Sequence, residues 1–160
     1  FGDTVRFSPR FYILDGKNFH CHGQAGDGGK ENSPCEHLCS NYGRYCASHA
    51  VHVGGRVIIA ETLRRLCIFQ HYPDFPEDYN TKKKKPKINT AFYDYSIYHL
   101  NHCSEPENYK SEKCIDEAYK AAKVDKKTIE MCMHDSGNVD EDTPNSLLDE
   151  MLEHQKYSDV

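Results

Sequence analysis

Three cysteines crowd one thirteen-residue stretch, and thiols this close can support three kinds of chemistry. Cys35, Cys39 and Cys46 lie between a proline and an alanine at position 47. Thiolates can ligate a metal, a low-pKa thiolate can exchange disulfides, and oxidised pairs can hold a fold together. Thiol–disulfide enzymes and many zinc sites use a Cys-x-x-Cys pair, which this sequence lacks. The spacing therefore favours structural disulfides.

The whole cysteine set leads to the same prediction. Eight cysteines in 160 residues is an even number and a high density for a reducing compartment. We therefore predict that all of them form disulfides and that the chain lies in the secretory pathway or outside the cell. The predicted disulfide residues are Cys21, Cys35, Cys39, Cys46, Cys67, Cys103, Cys114 and Cys132.

Other polar clusters are weak candidates for a metal site. The run His20-Cys21-His22 could ligate a metal, but its central cysteine is a predicted disulfide partner. Asp135 and the acidic run 140–142 lack the glycine and the terminal glutamate of an EF-hand loop. We expect no metal, no cofactor and no catalytic residue.

Charge and hydropathy limit the partners. The net charge of -5 argues against a nucleic-acid partner, because such proteins usually carry a strongly basic face. The basic run 82–87 is interpreted as a solvated loop, since a nuclear-localisation signal or a polyanion site would conflict with an oxidising compartment. No apolar run approaches the roughly 18 residues that span a bilayer. We expect a membrane span only outside this chain, and a signal segment upstream of it.

The elements around the cysteine stretch can be predicted from turn and capping residues. A strand is expected near 10–14, followed by a glycine-rich loop over 15–33. Ser33-Pro34 is a typical helix start, and Gly43 is a typical left-handed stop. A helix between them would place Cys35 and Cys39 on one face with nearly parallel Cβ vectors, so each should bond to a different partner.

The rest of the chain has helical periodicity. Apolar residues recur every three or four positions from Arg56 to about Tyr72, where Pro73 ends the pattern. Further helices are predicted at 92–103, 111–124, 126–134 and from Thr143-Pro144 onwards. Ser111 and Asp125 are the predicted caps of the second and third of these. One possible inward stripe of the first consists of Phe92, Tyr95, Ser96, His99 and Cys103.

One disulfide can be predicted from this helix order. The helices at 111–124 and 126–134 meet at a tight corner, so an antiparallel hairpin would bring Cys114 near Cys132. We favour that bond, with Cys103 as the rival partner. Eight cysteines allow about 105 pairings, and the helix order is the basis for choosing this one.

The cysteine stretch resembles the core signature of the vacuolar sorting receptors. The signature is the pattern Cys35-x3-Cys39-x-Asn41-x-Gly43-Arg44-Tyr45-Cys46-Ala47. Further resemblances follow in the same order, and all eight cysteines find counterparts over roughly residues 6–152. They are the helix motif Leu63-Arg64-Arg65-Leu66-Cys67-Ile68-Phe69, Asp94-Tyr95 before Cys103, Lys113-Cys114 and Glu130-Met131-Cys132.

This resemblance implies a fold class and a domain organisation. The family's central lumenal region is thioredoxin-like, with a large helical insertion between its strands. We therefore expect an α+β, mostly α-helical, disulfide-rich domain whose last strands would follow Val160. A single domain over 1–160 would contain a strand and loop part (1–32), a cysteine-rich helical part (33–72), a basic loop (73–90) and a second helical part (91–157).

The chain also departs from the family pattern. Phe92 and Tyr93 replace the family's tryptophans near Asp94, the loop at 82–87 is more basic, and the glycine-rich loop over 23–29 is longer. The resemblance is thus to a divergent member. It does not define which cargo would be bound.

The function implied by the resemblance is that of a non-enzymatic receptor module. It would bind protein cargo, or contribute to a ligand-binding ectodomain, in the Golgi and prevacuolar lumen. The alternative is a structural or adhesive module of an extracellular assembly, and a thiol–disulfide oxidoreductase is a weaker third. Histidines could weaken cargo binding in acid by gaining charge. The histidines considered are His20, His22, His49, His52, His99 and His102.

Overall fold

The computed structural model describes residues 8–23, 34–48, 52–73 and 90–156. Within these ranges a small sheet packs against a set of helices, which confirms the mostly α-helical α+β class. The elements are β1 (Leu14–Asp15), α1 (Pro34–Leu38), β2 (Cys39–Ser40), a 3-10 turn (Asn41–Gly43), β3 (Tyr45–Cys46), α2 (Gly55–His71), α3 (Thr90–His102), α4 (Pro106–Tyr109), α5 (Glu112–Ala122), α6 (Lys126–Asp135) and α7 (Ser146–Lys156).

The sheet is three-stranded, antiparallel and very short. Its order is β1-β3-β2, with Cys46 of β3 opposite both Leu14 and Cys39. The strand expected near 10–14 is therefore displaced, since only its last residue pairs. β3 consists of only two residues, Tyr45 and Cys46, so β1 forms a ladder of two residue pairs with it.

The helix predicted after Ser33-Pro34 is shorter than expected. α1 ends at Leu38, so Cys39 begins a strand and does not share a helical face with Cys35. Gly43 has a φ of 87°, but it lies in the tight turn before β3 and does not terminate α1. Cys35 and Cys39 still bond to different partners.

The long helix α2 is the centre of the core, and its predicted bounds are confirmed to within one residue. Its predicted apolar stripe is buried, with Ile59, Leu63 and Cys67 completely inaccessible. The stripe packs against α3, α6 and the sheet. Burying such aliphatic side chains contributes roughly 2 kcal/mol each relative to exposure.

Aromatic side chains join α3 to the rest of this core. The predicted stripe of α3 is buried at Phe92, Tyr95 and His99. Phe92 meets Phe69 of α2 edge-on at 5.7 Å, and Tyr95 meets Tyr119 of α5 at 5.4 Å between ring centroids. Such ring pairs add about 1 kcal/mol beyond their buried area.

Capping residues define the starts of the last three helices. Ser111 caps α5 and Asp125 caps α6, as the sequence predicts. The last helix begins later than Thr143-Pro144, because the Asn145 side chain accepts hydrogen bonds from the backbone N–H groups of Leu147 and Leu148. α4 was not predicted, since a single turn carries too little periodicity.

The predicted bond between Cys114 and Cys132 is wrong. Cys114 bonds to Cys103, and Cys132 bonds to Cys67. The short α4 segment returns the chain so that the first turn of α5 lies beside the last turn of α3, which brings Cys103 and Cys114 together. α6 packs against α2, and Cys132 therefore faces Cys67.

Some predicted features lie outside the described residues. These are most of the glycine-rich loop, His49 and the basic run 82–87. Among the helices of the described ranges, none has the combination of length and apolar character that crossing a membrane requires.

Candidate functional site

Two disulfides lie side by side where the sheet meets α1. Cys21 bonds to Cys35, and Cys39 bonds to Cys46 across the β2–β3 pair. The sulfur atoms of Cys21, Cys39 and Cys46 all lie within 4.8 Å of one another and are buried. While they are oxidised, these sulfurs provide no thiolate for a metal or for disulfide exchange. We call these four cysteines the sulfur cluster.

A left-handed backbone run carries the chain around the sulfur cluster. Asn41, Tyr42 and Gly43 have φ values of 47°, 53° and 87°. Only glycine, and to a smaller degree asparagine, adopts this region readily. A Cβ atom on Gly43 would lie 2.0 Å from the carbonyl oxygen of Cys21. The glycine is thus required both by its conformation and by the close approach of the Cys21 backbone.

Asn41 and Tyr45 attach this run to the segment before α7. The Asn41 amide donates to the carbonyls of Asn138 and Thr143, at 3.1 and 3.2 Å. The Tyr45 hydroxyl accepts from the Asn145 N–H and donates to an Asp149 carboxylate oxygen, both at 2.7 Å. Burial raises the pKa of Tyr45, so it remains a donor. Both residues therefore act within the framework.

Arg44 completes the same attachment at the surface. Its Nε and Nη2 donate to one carboxylate oxygen of Asp142, at 3.0 and 2.8 Å, and His22 Nε2 lies 3.2 Å from that oxygen. The hydrogen bonds from His22 and Arg44 hold the pKa of Asp142 below its ordinary value. The acidic run 140–142 thus forms ion pairs with basic side chains. Asp142 pairs with Arg44, and Asp140 pairs with Arg56.

A buried carboxylate on α2 organises a second polar network. Glu61 is 2% exposed and forms ion pairs with Arg64 and with Arg65, whose Nε lies 3.0 Å away. The Tyr95 hydroxyl donates to Glu61 at 3.3 Å. A buried carboxylate is tolerated only when such donors surround it. Arg64 also donates to the Tyr119 hydroxyl at 3.0 Å, which connects the network to α5.

His99 closes this network in its neutral form. Its Nδ1 accepts from Arg65 at 3.3 Å, and its Nε2 then carries the proton toward the Tyr109 carbonyl at 3.4 Å. Burial lowers the pKa of His99 even though Glu61 lies near by. Every polar atom of the ring is therefore used internally.

A cavity of about 320 Å³ opens beside this network. We call it the α2 groove. Its apolar lining is Val57 and Ala60 of α2, Ile115 of α5 and Val139. Ile115 and Val139 belong to the buried core, so the apolar side of the groove is continuous with the core.

The polar lining of the α2 groove is predominantly cationic. It consists of Arg56, Arg64 and Lys110, with Tyr109 and one acid, Asp140. Burial and then the charge of Glu61 raise the pKa of Tyr109, so its hydroxyl keeps its proton. The arrangement can bind a small group that is both acidic and partly apolar, and none of these residues suggests a nucleophile or a catalytic base.

The residues of the predicted family signature have two different environments. Asn41, Gly43, Arg44, Tyr45 and Tyr95 make the framework contacts described above. Asp94 lies on the solvent side of α3, next to the exposed Ile97 and Leu100. Of this set Asp94 is exposed, Arg44 is half-buried, and the other four residues are buried.

The histidines considered for acid release are dispersed among different contacts. His22 contacts Asp142, His99 is buried, and His102 stacks on Tyr98 at 4.2 Å between ring centroids. His20 and His52 are exposed. Release by histidine charging stays a prediction.

Several residues that build these networks were missed by sequence reasoning. Glu61 and Asn145 were not singled out, and Asp142 was considered only as part of the acidic run 140–142. Arg64 and Arg65 were quoted only within a motif. One local signal existed for Glu61, since an acid inside an apolar helical stripe with arginines three and four positions later suggests a buried ion pair. No local signal connects Arg44 to Asp142, which lies 98 positions away.

Comparisons with known proteins agree with this framework. The profile of the vacuolar sorting receptor thioredoxin-like domain family matches residues 2–160. A vacuolar-sorting receptor 2 from Arabidopsis thaliana is 27% identical over 121 residues, which is 72% of this chain and 17% of the relative. The chain thus spans about a sixth of that relative's length. No solved structure matches.

Proposed function

Since this chain belongs to the family of the vacuolar sorting receptor thioredoxin-like domain, we propose that it is a protein-binding module of a receptor-like ectodomain. Its partner would be a soluble protein cargo or a neighbouring ectodomain protein. It would act in the secretory pathway, from the Golgi to a prevacuolar compartment, or at the cell surface. A membrane span, if the whole protein has one, would lie outside this chain.

The family match over nearly the whole chain is the observation that carries this proposal. The cysteine chemistry supports it, because four disulfides within 160 residues are typical of proteins in oxidising compartments. The cationic α2 groove and the exposed face of α3 near Asp94 are candidate contact surfaces.

A binding role also suits the state of the reactive groups better than catalysis does. A thiol–disulfide oxidoreductase needs an accessible cysteine thiolate with a resolving partner two residues away. Here Cys35 pairs with Cys21, which is 6% exposed, and the sequence has no Cys-x-x-Cys. An insulin-reduction assay with turnover above that of free thiols would contradict the non-enzymatic assignment.

The proposal predicts selective binding of cargo that carries a sorting segment. The full chain, produced by secretion and immobilised with its disulfides intact, should bind a soluble vacuolar protease precursor in surface plasmon resonance. The same protease without its propeptide is the matched analyte and should bind at least about tenfold more weakly, which corresponds to about 1.4 kcal/mol. Repeating the titration in acid tests the histidine hypothesis.

Equal binding of both protease forms, or none, would contradict the cargo proposal. The structural or adhesive alternative is favoured by one observation, the exposure of Ile97 and Leu100, at 55% and 65%, one helical turn apart on α3. That alternative would be supported if the chain binds no cargo but associates with itself, and if Ile97→Ser and Leu100→Ser abolish this self-association.

A further inference from the structure

We infer that the α2 groove binds an acidic side chain flanked by an aliphatic one in a partner polypeptide. This inference deepens the proposed protein-binding function and rests on it. The groove combines hydrogen-bond donors, an apolar surface beside them, and a more cationic lining than two other cavities.

Three donors of the groove lack an acceptor among the described residues. Lys110 has no ion pair or hydrogen bond in those ranges, and the Tyr109 hydroxyl has no hydrogen bond. Arg64 uses Nε and Nη1 for Tyr119 and Glu61, which leaves Nη2 without an acceptor in the same part of the chain. A carboxylate accepts two or more hydrogen bonds at once, so it suits this donor set.

The position of Arg64 makes its remaining donor effective. Its side chain is 16% exposed, and the contacts to Glu61 and Tyr119 hold the guanidinium in place. A fixed and partly desolvated guanidinium loses little entropy on binding and is weakly screened. An incoming carboxylate therefore meets a donor that is already oriented.

The apolar lining determines what must accompany the carboxylate. Val57, Ala60, Ile115 and Val139 give an aliphatic surface next to the three donors. A free inorganic anion or a strongly hydrated group would leave this surface uncovered. An aliphatic side chain adjacent to the acid would cover it, and a volume of about 320 Å³ is at the small end of ligand sites, sufficient for about two side chains.

Two other cavities have less cationic linings. The cavity beside β1 and α7 is lined by three cations and by three acids, Asp15, Asp149 and Glu153. Within the part of the chain that the structure describes, the cavity beside Gln70 and Met131 has no lysine or arginine in its lining.

The α2 groove is lined by three cations and one acid, in a chain with a net charge of -5. Arg56 is paired with Asp140, and Arg64 shares Glu61 with Arg65. Among the described residues, the remaining positive charge of the lining is therefore on Lys110 and in part on Arg64, and it attracts a carboxylate to this groove.

The test uses the full oxidised chain and a pair of blocked peptides. Both have acetylated and amidated ends, and the central sequence Leu-Glu-Leu of one is Leu-Gln-Leu in the other. Isothermal titration should give at least about tenfold tighter binding for the glutamate peptide, because a hydrogen bond to a charged group contributes more than one to a neutral amide. Equal affinities, or no binding of either peptide, would overturn the inference.

Variants locate the binding within the molecule. Lys110→Ala should weaken the glutamate peptide by several-fold, while Lys120→Ala, an exposed lysine outside the groove, should leave the affinity unchanged. Ala60→Phe fills the apolar part without changing charge and should abolish binding in a protein that melts cooperatively. Equal effects of the two lysine variants would overturn the assignment to the groove.

Two further experiments complete the test. One asks whether the carboxylate must belong to a side chain, and the other distinguishes failure of this inference from failure of the proposed function. A peptide whose only carboxylate is its free C-terminus should bind more weakly than the glutamate peptide, and the opposite order would overturn the side-chain assignment. If the parent chain binds cargo but does not bind the glutamate peptide, the groove inference falls and the protein-binding function stands. If it binds the glutamate peptide but no cargo, the proposed cargo function falls and the groove assignment stands.

Discussion

At the residue scale, His99 is a buried titratable group whose charge state depends on folding. It is 1% exposed, and it accepts from Arg65 through one ring nitrogen and donates to the Tyr109 carbonyl through the other. Protonation of Nδ1 would replace the Arg65 hydrogen bond by repulsion between two cations. Burial therefore lowers the pKa of His99, although Glu61 opposes that effect.

The lowered pKa predicts that acid destabilises the fold through this residue. In the unfolded chain the imidazole titrates near its ordinary pKa of about 6.5. Below that pH the unfolded chain binds a proton that the folded chain excludes, so stability is full above the unfolded pKa and falls as pH decreases through it. Chemical unfolding between about pH 7.5 and about pH 5 should show a smaller loss of stability for His99→Gln than for the parent chain.

The control for this prediction is a histidine at the surface. His134 on α6 has a side chain that is 80% exposed, so His134→Gln should keep the parent's pH dependence. If His99→Gln and the parent give parallel curves, burial of a neutral His99 does not contribute to the pH dependence.

At the scale of elements, the left-handed turn between β2 and β3 determines where the sulfur cluster forms. Gly43 has a φ of 87°, and its missing side chain allows the Cys21 carbonyl to approach. The same turn places Arg44 toward Asp142 and Tyr45 into the core. A two-residue ladder cannot hold this geometry alone, so the turn depends on these contacts.

Replacing Gly43 by alanine should be strongly destabilising. Gly43→Ala combines backbone strain with a Cβ that would lie 2.0 Å from the Cys21 oxygen, and we expect a loss of roughly 2 kcal/mol or more in the free energy of unfolding. Gly23→Ala is the matched control, because Gly23 has a φ of 81° but no heavy atom within 4 Å of its added Cβ. A similar loss in both variants would assign the whole effect to strain.

At the scale of the whole molecule, the disulfide between Cys67 and Cys132 has the longest reach. It joins α2 to α6 over 65 positions, whereas the other interhelical bond joins Cys103, the residue after α3, to Cys114 of α5 over 11 positions. The Cα separations are nearly equal, at 5.9 and 6.0 Å. The two bonds thus differ mainly in the length of chain that each one closes.

Loop length predicts which disulfide contributes more to stability. In the chain-entropy estimate, removal of the bond between Cys67 and Cys132 costs about 4 kcal/mol and removal of the bond between Cys103 and Cys114 about 3 kcal/mol. Denaturant unfolding of Cys67→Ala with Cys132→Ala, compared with Cys103→Ala with Cys114→Ala, measures the difference. A greater loss from the second pair would indicate that local packing outweighs the entropy of the unfolded chain.

Much of the secondary structure and the family could be predicted from local residues. The bounds of α2, the caps Ser111 and Asp125, and the buried stripe of α3 follow from periodicity and capping chemistry, which act over a few residues. The family likewise follows from the spacing of cysteines around Gly43-Arg44-Tyr45. These features need no knowledge of which elements pack together.

Only the tertiary structure decided the contacts between distant positions. It paired Cys67 with Cys132, brought Asp142 to Arg44, and buried Glu61 against Tyr95 and His99. It also left Lys110 and Arg64 beside an aliphatic surface. Each of these contacts depends on how the helices pack across the core. Side-chain complementarity over the whole chain determines that packing, and no local spacing encodes it. The sequence by itself determined the chemistry available, and packing determined which groups meet.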